Sequence, residues 1–118
     1  MEKFTFKKSE RLSQKKLIQE LFDEGSSFYL HPFKVFFLPT EKPAHQILAS
    51  VPKNIFKRAV DRNTIKRRIR EGYRLNKTKL LSDQFFSIAY IYTAKEILPS
   101  AVVHQKIVLS FAKLIIQK

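Results

Sequence analysis

The apolar positions follow two rhythms. From Ser9 to Glu24, Leu12, Leu17, Ile18, Leu21 and Phe22 recur at helical spacing, with Ser13 placed to cap the start and Gly25 to end the helix. Phe33 to Leu38 reads as a strand, preceded by Pro32 and closed by Pro39. Gln46 to Val51 reads as a second strand, with Ile47, Ala49 and Val51 on one face. The turn between them, Glu41 to His45 with Pro43, makes the pair look like an antiparallel hairpin. Gln84 to Thr93 alternates strictly: Phe86, Ile88, Tyr90 and Tyr92 face one way, and Phe85, Ser87, Ala89 and Ile91 the other. Ala59 to about Lys77 predicts a long helix. Pro99 starts a last one, striped by Val103, Ile107, Val108, Phe111, Leu114 and Ile115. Residues 26–31 hold a weaker strand signal, and residues 1–10 read as a charged, extended arm. The order predicts one α+β domain over 1–118, a two-layer sandwich of a sheet with helices packed on it.

Charge changes the picture from fold to partner. The 118 residues carry 23 Lys and Arg against 10 Asp and Glu, a net +13, which attracts a polyanion. The excess is not spread evenly. Lys53 to Lys79 holds eleven basic residues and two acidic ones, so most of the net charge sits in that one stretch. A generically basic surface does not require such clustering. There is no cysteine, which excludes disulfides and thiolate chemistry. The N-terminus lacks the apolar run of a signal peptide, and no apolar segment is long enough to span a membrane, so an intracellular protein is expected.

Winding the basic stretch at about 100° per residue separates its residues by job. Ile65, Ile69 and Tyr73 fall on one narrow stripe, the face to be buried. Asn63, Lys66, Arg67, Arg70 and Arg74 fan across a neighbouring arc. Arg62 lies near the apolar stripe and must snorkel to its edge, Arg68 points elsewhere, and Thr64 lies well away from the ridge. A solvated helix normally interleaves Glu with Lys, whereas only Asp61 and Glu71 interrupt this one. Phosphates relieve such repulsion, and Arg forks grip them bidentately. A merely solvated basic face or a membrane-surface helix are the competing readings. The narrow apolar stripe, needed for the core, speaks against the second.

Little supports catalysis by the chain itself. Glu20, Asp23, Glu24, Asp61, Glu71, Asp83 and Glu96 show no acid–base or metal pairing. His31, His45 and His104 lack ligand spacing, and no Gly-rich phosphate loop occurs.

Ser50-Val51-Pro52-Lys53-Asn54, then Lys57-Arg58-Ala59 and Arg62-Asn63-Thr64-Ile65-Lys66-Arg67-Arg68-Ile69-Arg70-Glu71, resembles the bacterial ribonuclease P protein family. Arg11-Leu12, and Phe22 before Gly25, are similar to that family's N-terminal helix. Three positions depart from the pattern: Thr64 in place of the motif's second Arg, Tyr90 where a basic residue follows Ala89, and Ile18 where an aromatic is common.

The resemblance implies an α-β sandwich with a mostly antiparallel central sheet, whose basic helix lies in a left-handed β-α-β crossover. It implies a cytoplasmic protein, one copy per ribonuclease P RNA. The RNA cleaves the 5′ leader from precursor tRNA with Mg²⁺, and the protein binds no cofactor of its own. By motif, Lys53, Arg58, Arg62, Asn63, Lys66, Arg67, Arg70 and Arg74 fall to RNA binding. Ile18, Phe22, Phe33 and Phe36 fall to a leader-binding cleft, with ordinary core packing as the alternative for the aromatics. A ribosomal or RNA-assembly protein without a catalytic role is the alternative function.

Overall fold

A computed structural model describes residues 10–42, 44–80 and 84–117, with side chains to 114. Its elements are α1 (Lys15–Glu24), β1 (Ser26–Leu30), β2 (Phe33–Thr40), β3 (Gln46–Ser50), α2 (Ala59–Asn76), β4 (Phe85–Tyr92) and α3 (Ser100–Gln117), with a 3₁₀ turn at Lys77–Lys79. Pro43, most of the N-terminal arm and the Ile115 side chain lie outside the described residues.

One sheet carries the domain, in the order β1-β2-β4-β3. β1 and β2 are antiparallel, as are β2 and β4, while β3 runs parallel to β4 and reaches it through α2. The hairpin expected between β2 and β3 therefore does not form, because β4 lies between them. Pro39 does not close β2 either. It pairs with Phe86 of β4, while the β1 register ends at Phe37. The side of β2 that would need the missing N–H has no neighbour at that point, so proline is tolerated.

Alternation along the strands divides the core in two. Phe33, Val35, Phe37, Ile47, Ala49, Phe86, Ile88, Tyr90 and Tyr92 face the layer of α2 and α3. There they meet Ile65, Ile69, Tyr73, Val103, Ile107, Phe111 and Leu114. Each buried Val, Leu, Ile or Phe among them contributes roughly 1.5–3 kcal/mol of transfer free energy. Val108 is only half-buried, at the rim of the stripe. The two helices approach closely at Gly72, where an added Cβ would stand 3.1 Å from both His104 Cδ2 and Ile107 Cγ1.

Part of the sheet's second face is covered by α1. Leu12, Leu21 and Ala89 are buried there, with Leu17, Ile18, Phe36, Leu38 and Leu48 packed around them. α1 starts later than its pattern predicts, at Lys15, with Gln14 rather than Ser13 at the N-cap position. Arg11 and Leu12 are extended instead. Arg11 forms a parallel bridge with Ile47, and the Leu12 N–H donates to the Ile47 carbonyl at 2.9 Å. Leu12 fits the helical period because it is a core residue, but the backbone here is used to pair with the outer edge of β3.

Candidate nucleic-acid interface

α2 presents the expected ridge. Ile65, Ile69 and Tyr73 are fully buried, which fixes the rotation of the helix. That rotation leaves Asn63, Arg67 and Arg70 exposed and Lys66 and Arg74 half-exposed along the neighbouring face. Lys53 and Arg58, on the approach to the helix, are exposed as well. Arg70 stands beside a cation the helical pattern missed. Its pKa is lowered, chiefly by partial burial and then by the charge of Arg11. Arg11 thus extends the basic surface from the β3 edge. The Arg-Leu pair was its sequence signal, but placing it inside a helix hid which side it would face.

Three residues of the basic stretch do structural work. Arg62 does not reach the ridge: its Nη1 donates to the carbonyl oxygens of Phe56 and Lys57 at 2.8 and 2.9 Å. It braces the 52–58 loop, whose Phe56 is buried against Tyr92. Arg68 donates from Nη1 to the Leu98 carbonyl at 2.6 Å, holding the β4–α3 connection. Thr64 uses its hydroxyl on the Val60 carbonyl at 2.9 Å.

The back of α2 is tied to the segment before α1. Glu10 is buried, and its carboxylate accepts from Lys77 Nζ at 2.9 and 3.1 Å and from Tyr73 Oη at 3.1 Å. Burial, then the charge and hydrogen bond of Glu10, push the Tyr73 phenol well above its ordinary range, so it stays a donor. Lys77 therefore serves this anchor rather than the ridge.

The second candidate surface is only partly as expected. Phe22, 37% exposed, meets Phe36 edge-on at 4.9 Å between ring centroids, and half-buried Ile18 packs in the same cluster. Lys34 holds its Nζ 5.4 Å above the Phe36 ring. Phe33 does not belong to this group. Three residues from Phe36 on one strand, it points to the opposite face, where it is wholly buried against Tyr90 and Tyr92. The same alternation explains Tyr90. It is buried beneath α3, its hydroxyl 2.7 Å from Ser110 Oγ, and a lysine or arginine there would be an unpaired buried charge. On the open face the corresponding position is Ile91, half-exposed beside Lys34.

Among the described residues, no three His, Asp or Glu side chains lie close enough to hold a metal ion, and no helix is long and apolar enough to cross a membrane.

The same arrangement recurs in known proteins. The chain is 46% identical over 83 residues to a protein of Porphyromonas gingivalis named ribonuclease P protein component, covering 68% of this chain and 60% of that protein. It is 39% identical over 90 residues to the protein of the same name from Petrotoga mobilis, covering 76% of this chain and 70% of that one. Among solved structures, the RNase P protein from Thermotoga maritima superposes with a TM-score of 0.77 at 26% identity, over 88% of this chain and 96% of that one. That from Staphylococcus aureus gives 0.71 at 26% identity, over 90% and 97%. The family model described as Ribonuclease P matches residues 6–114, nearly the whole chain, and the chain belongs to that family.

Proposed function

We propose that this chain is the protein subunit of a ribonuclease P, binding the catalytic RNA through the α2 ridge and the 5′ leader of precursor tRNA across the α1-covered face of the sheet. The observation that carries the reading is the ridge itself, with Asn63, Lys66, Arg67, Arg70 and Arg74 set outward by a fully buried Ile65-Ile69-Tyr73 stripe. A rigid helix keeps its donors at fixed spacing, which suits a folded RNA whose phosphates are also fixed. The Phe22-Phe36 surface suits a different ligand. Aromatic faces stack bases with little sequence preference, and Lys34 supplies a charge for the backbone. Leaders vary in sequence, so such tolerance fits the task.

Hydrolysis belongs to the RNA in this reading, with Mg²⁺ bound there and neutralising charge as the phosphodiester is attacked. The protein adds affinity for substrate and helps the RNA fold against its own charge. It works in the cytoplasm as one copy per RNA.

Reconstitution is the test. Protein, ribonuclease P RNA and precursor tRNA are mixed at low Mg²⁺, and release of the 5′ leader is followed. Enhanced leader removal supports the reading; no enhancement over RNA alone overturns it and favours a non-catalytic RNA-assembly protein. Cleavage by the protein without RNA would also overturn it.

A further inference from the structure

Tyr29 is the most exposed aromatic side chain among the described residues, at 60%, and the RNA surfaces above do not use it. β1 pairs with β2 so that Tyr29 stands directly opposite Lys34. Opposite residues of an antiparallel pair share a face. Lys34 and Phe36, two apart on β2, share it too. Tyr29, Lys34, Phe36 and Phe22 therefore lie on one side of the sheet, running from α1 to the outer strand. Phe28, the neighbour of Tyr29, points the other way, against Phe37 and under Lys113 of α3.

The ring is held by its edge. Tyr29 Oη lies 3.2 Å from His31 Nδ1, and Thr93 Oγ1 approaches the same oxygen at 3.5 Å. Both partners engage the hydroxyl tip, so the ring is steadied while most of its surface faces solvent. Tyr29 and Phe36 are diagonal neighbours across the β1–β2 pair, with about 7–8 Å between such positions. That interval is about twice the 3.4 Å rise of a stacked strand. The two positions thus suit bases one or two apart along a single strand. Lys34, directly opposite Tyr29 and with its Nζ 5.4 Å from the Phe36 ring, sets a cation beside both positions for the strand's phosphates.

We propose that Tyr29, with Lys34 opposite it, is a second stacking platform for single-stranded RNA, and that it takes a leader nucleotide beyond the one at Phe36. The proposal rests on the leader-binding reading and extends its site to the edge of the sheet. Single-stranded RNA is the occupant that fits both parts: an exposed ring accepts any base, and the adjoining lysine and net charge of +13 favour a polyanion over an apolar peptide.

The test uses the holoenzyme, reconstituted from ribonuclease P RNA and this chain. Dissociation constants are measured for mature tRNA and for precursors whose leaders grow one nucleotide at a time. Wild type should gain affinity in steps. Tyr29→Ala should bind short-leader precursors as wild type does, then lose the last step, roughly five- to a hundredfold. Tyr29→Phe, which keeps the ring, should retain that step. If Tyr29→Ala follows wild type at every leader length while Phe22→Ala loses the leader benefit, the Tyr29 platform is refuted and the leader face stands. If wild type itself gains nothing from a leader, the underlying reading fails first and the platform goes with it.

Discussion

Arg62 Nη1 lies 2.8 Å from the carbonyl oxygen of Phe56, and this contact takes the first residue of the Arg-Asn motif off the basic ridge. The guanidinium instead fastens the loop carrying Lys53, Lys57 and Arg58 to the first turns of α2. Arg62→Ala should cost about 1–3 kcal/mol of stability, because two carbonyls lose a charged donor. Its salt dependence of RNA binding should stay close to wild type, whereas Arg67→Ala should lower the log–log slope by about 0.7–0.9. Thermal unfolding combined with RNA binding at several salt concentrations separates the two roles.

Glu10 joins α2 to the segment that leads into α1, and so mechanically connects the two proposed RNA surfaces. Glu10→Gln removes the charge facing Lys77, whose side chain is 16% exposed. A fully buried pair broken this way costs about 3–5 kcal/mol; with Lys77 partly open to water, about 2 kcal/mol is expected. Chemical denaturation measures it. Lys77→Met in the Glu10→Gln background should recover part of the loss, because the ammonium then no longer faces a neutral amide in place of the carboxylate.

His45 makes stability depend on pH. Its Nδ1 accepts the Phe86 N–H at 3.0 Å, and the ring stacks on that of Phe86. Burial holds its pKa below the ordinary value of 6.5, against a smaller opposing pull from Glu10. The fold favours the neutral ring, so the unfolded chain takes up the proton first as pH falls. Stability from this site is full above about 6.5 and is lost progressively below it. The melting temperature should therefore fall from about pH 7.5 to about pH 5.5, and fall less in His45→Gln, which keeps a hydrogen-bonding group there.

Gly72 sets the distance between α2 and α3. Gly72→Ala trades about 1 kcal/mol of helix propensity against contacts at 3.1 Å, and a small net change is expected. Gly72→Leu has no such compensation and should destabilise by about 1–3 kcal/mol through overpacking. Denaturant midpoints of the two variants check the ordering.

The residues whose side-chain period was clean were legible before the structure. The Ile65-Ile69-Tyr73 stripe, the strict alternation of β4 and the apolar face of α3 each specify which side is buried. What periodicity does not specify is the neighbour. β2 and β3 are adjacent in sequence yet separated by β4, and no local pattern records that insertion. Leu12 obeys the helical spacing of α1 while belonging to an extended segment, because its spacing reports burial rather than backbone shape. The family resemblance groups Phe33 with Phe36, although their spacing of three on a strand puts them on opposite faces. The helical wheel sets Arg62 apart from Arg67, but only the carbonyls of the 52–58 loop show what Arg62 braces.

The central claim, that the α2 ridge holds ribonuclease P RNA, is tested most directly by the salt dependence of that binding. Wild type and a Lys66→Ala, Arg67→Ala, Arg70→Ala triple variant are compared across a range of salt, with circular dichroism confirming that both are folded. The ridge predicts that the variant binds more weakly at low salt and that its log–log slope falls by about 2–3, roughly 0.7–0.9 for each phosphate contact removed. A folded triple variant with the wild-type slope and affinity would contradict the account.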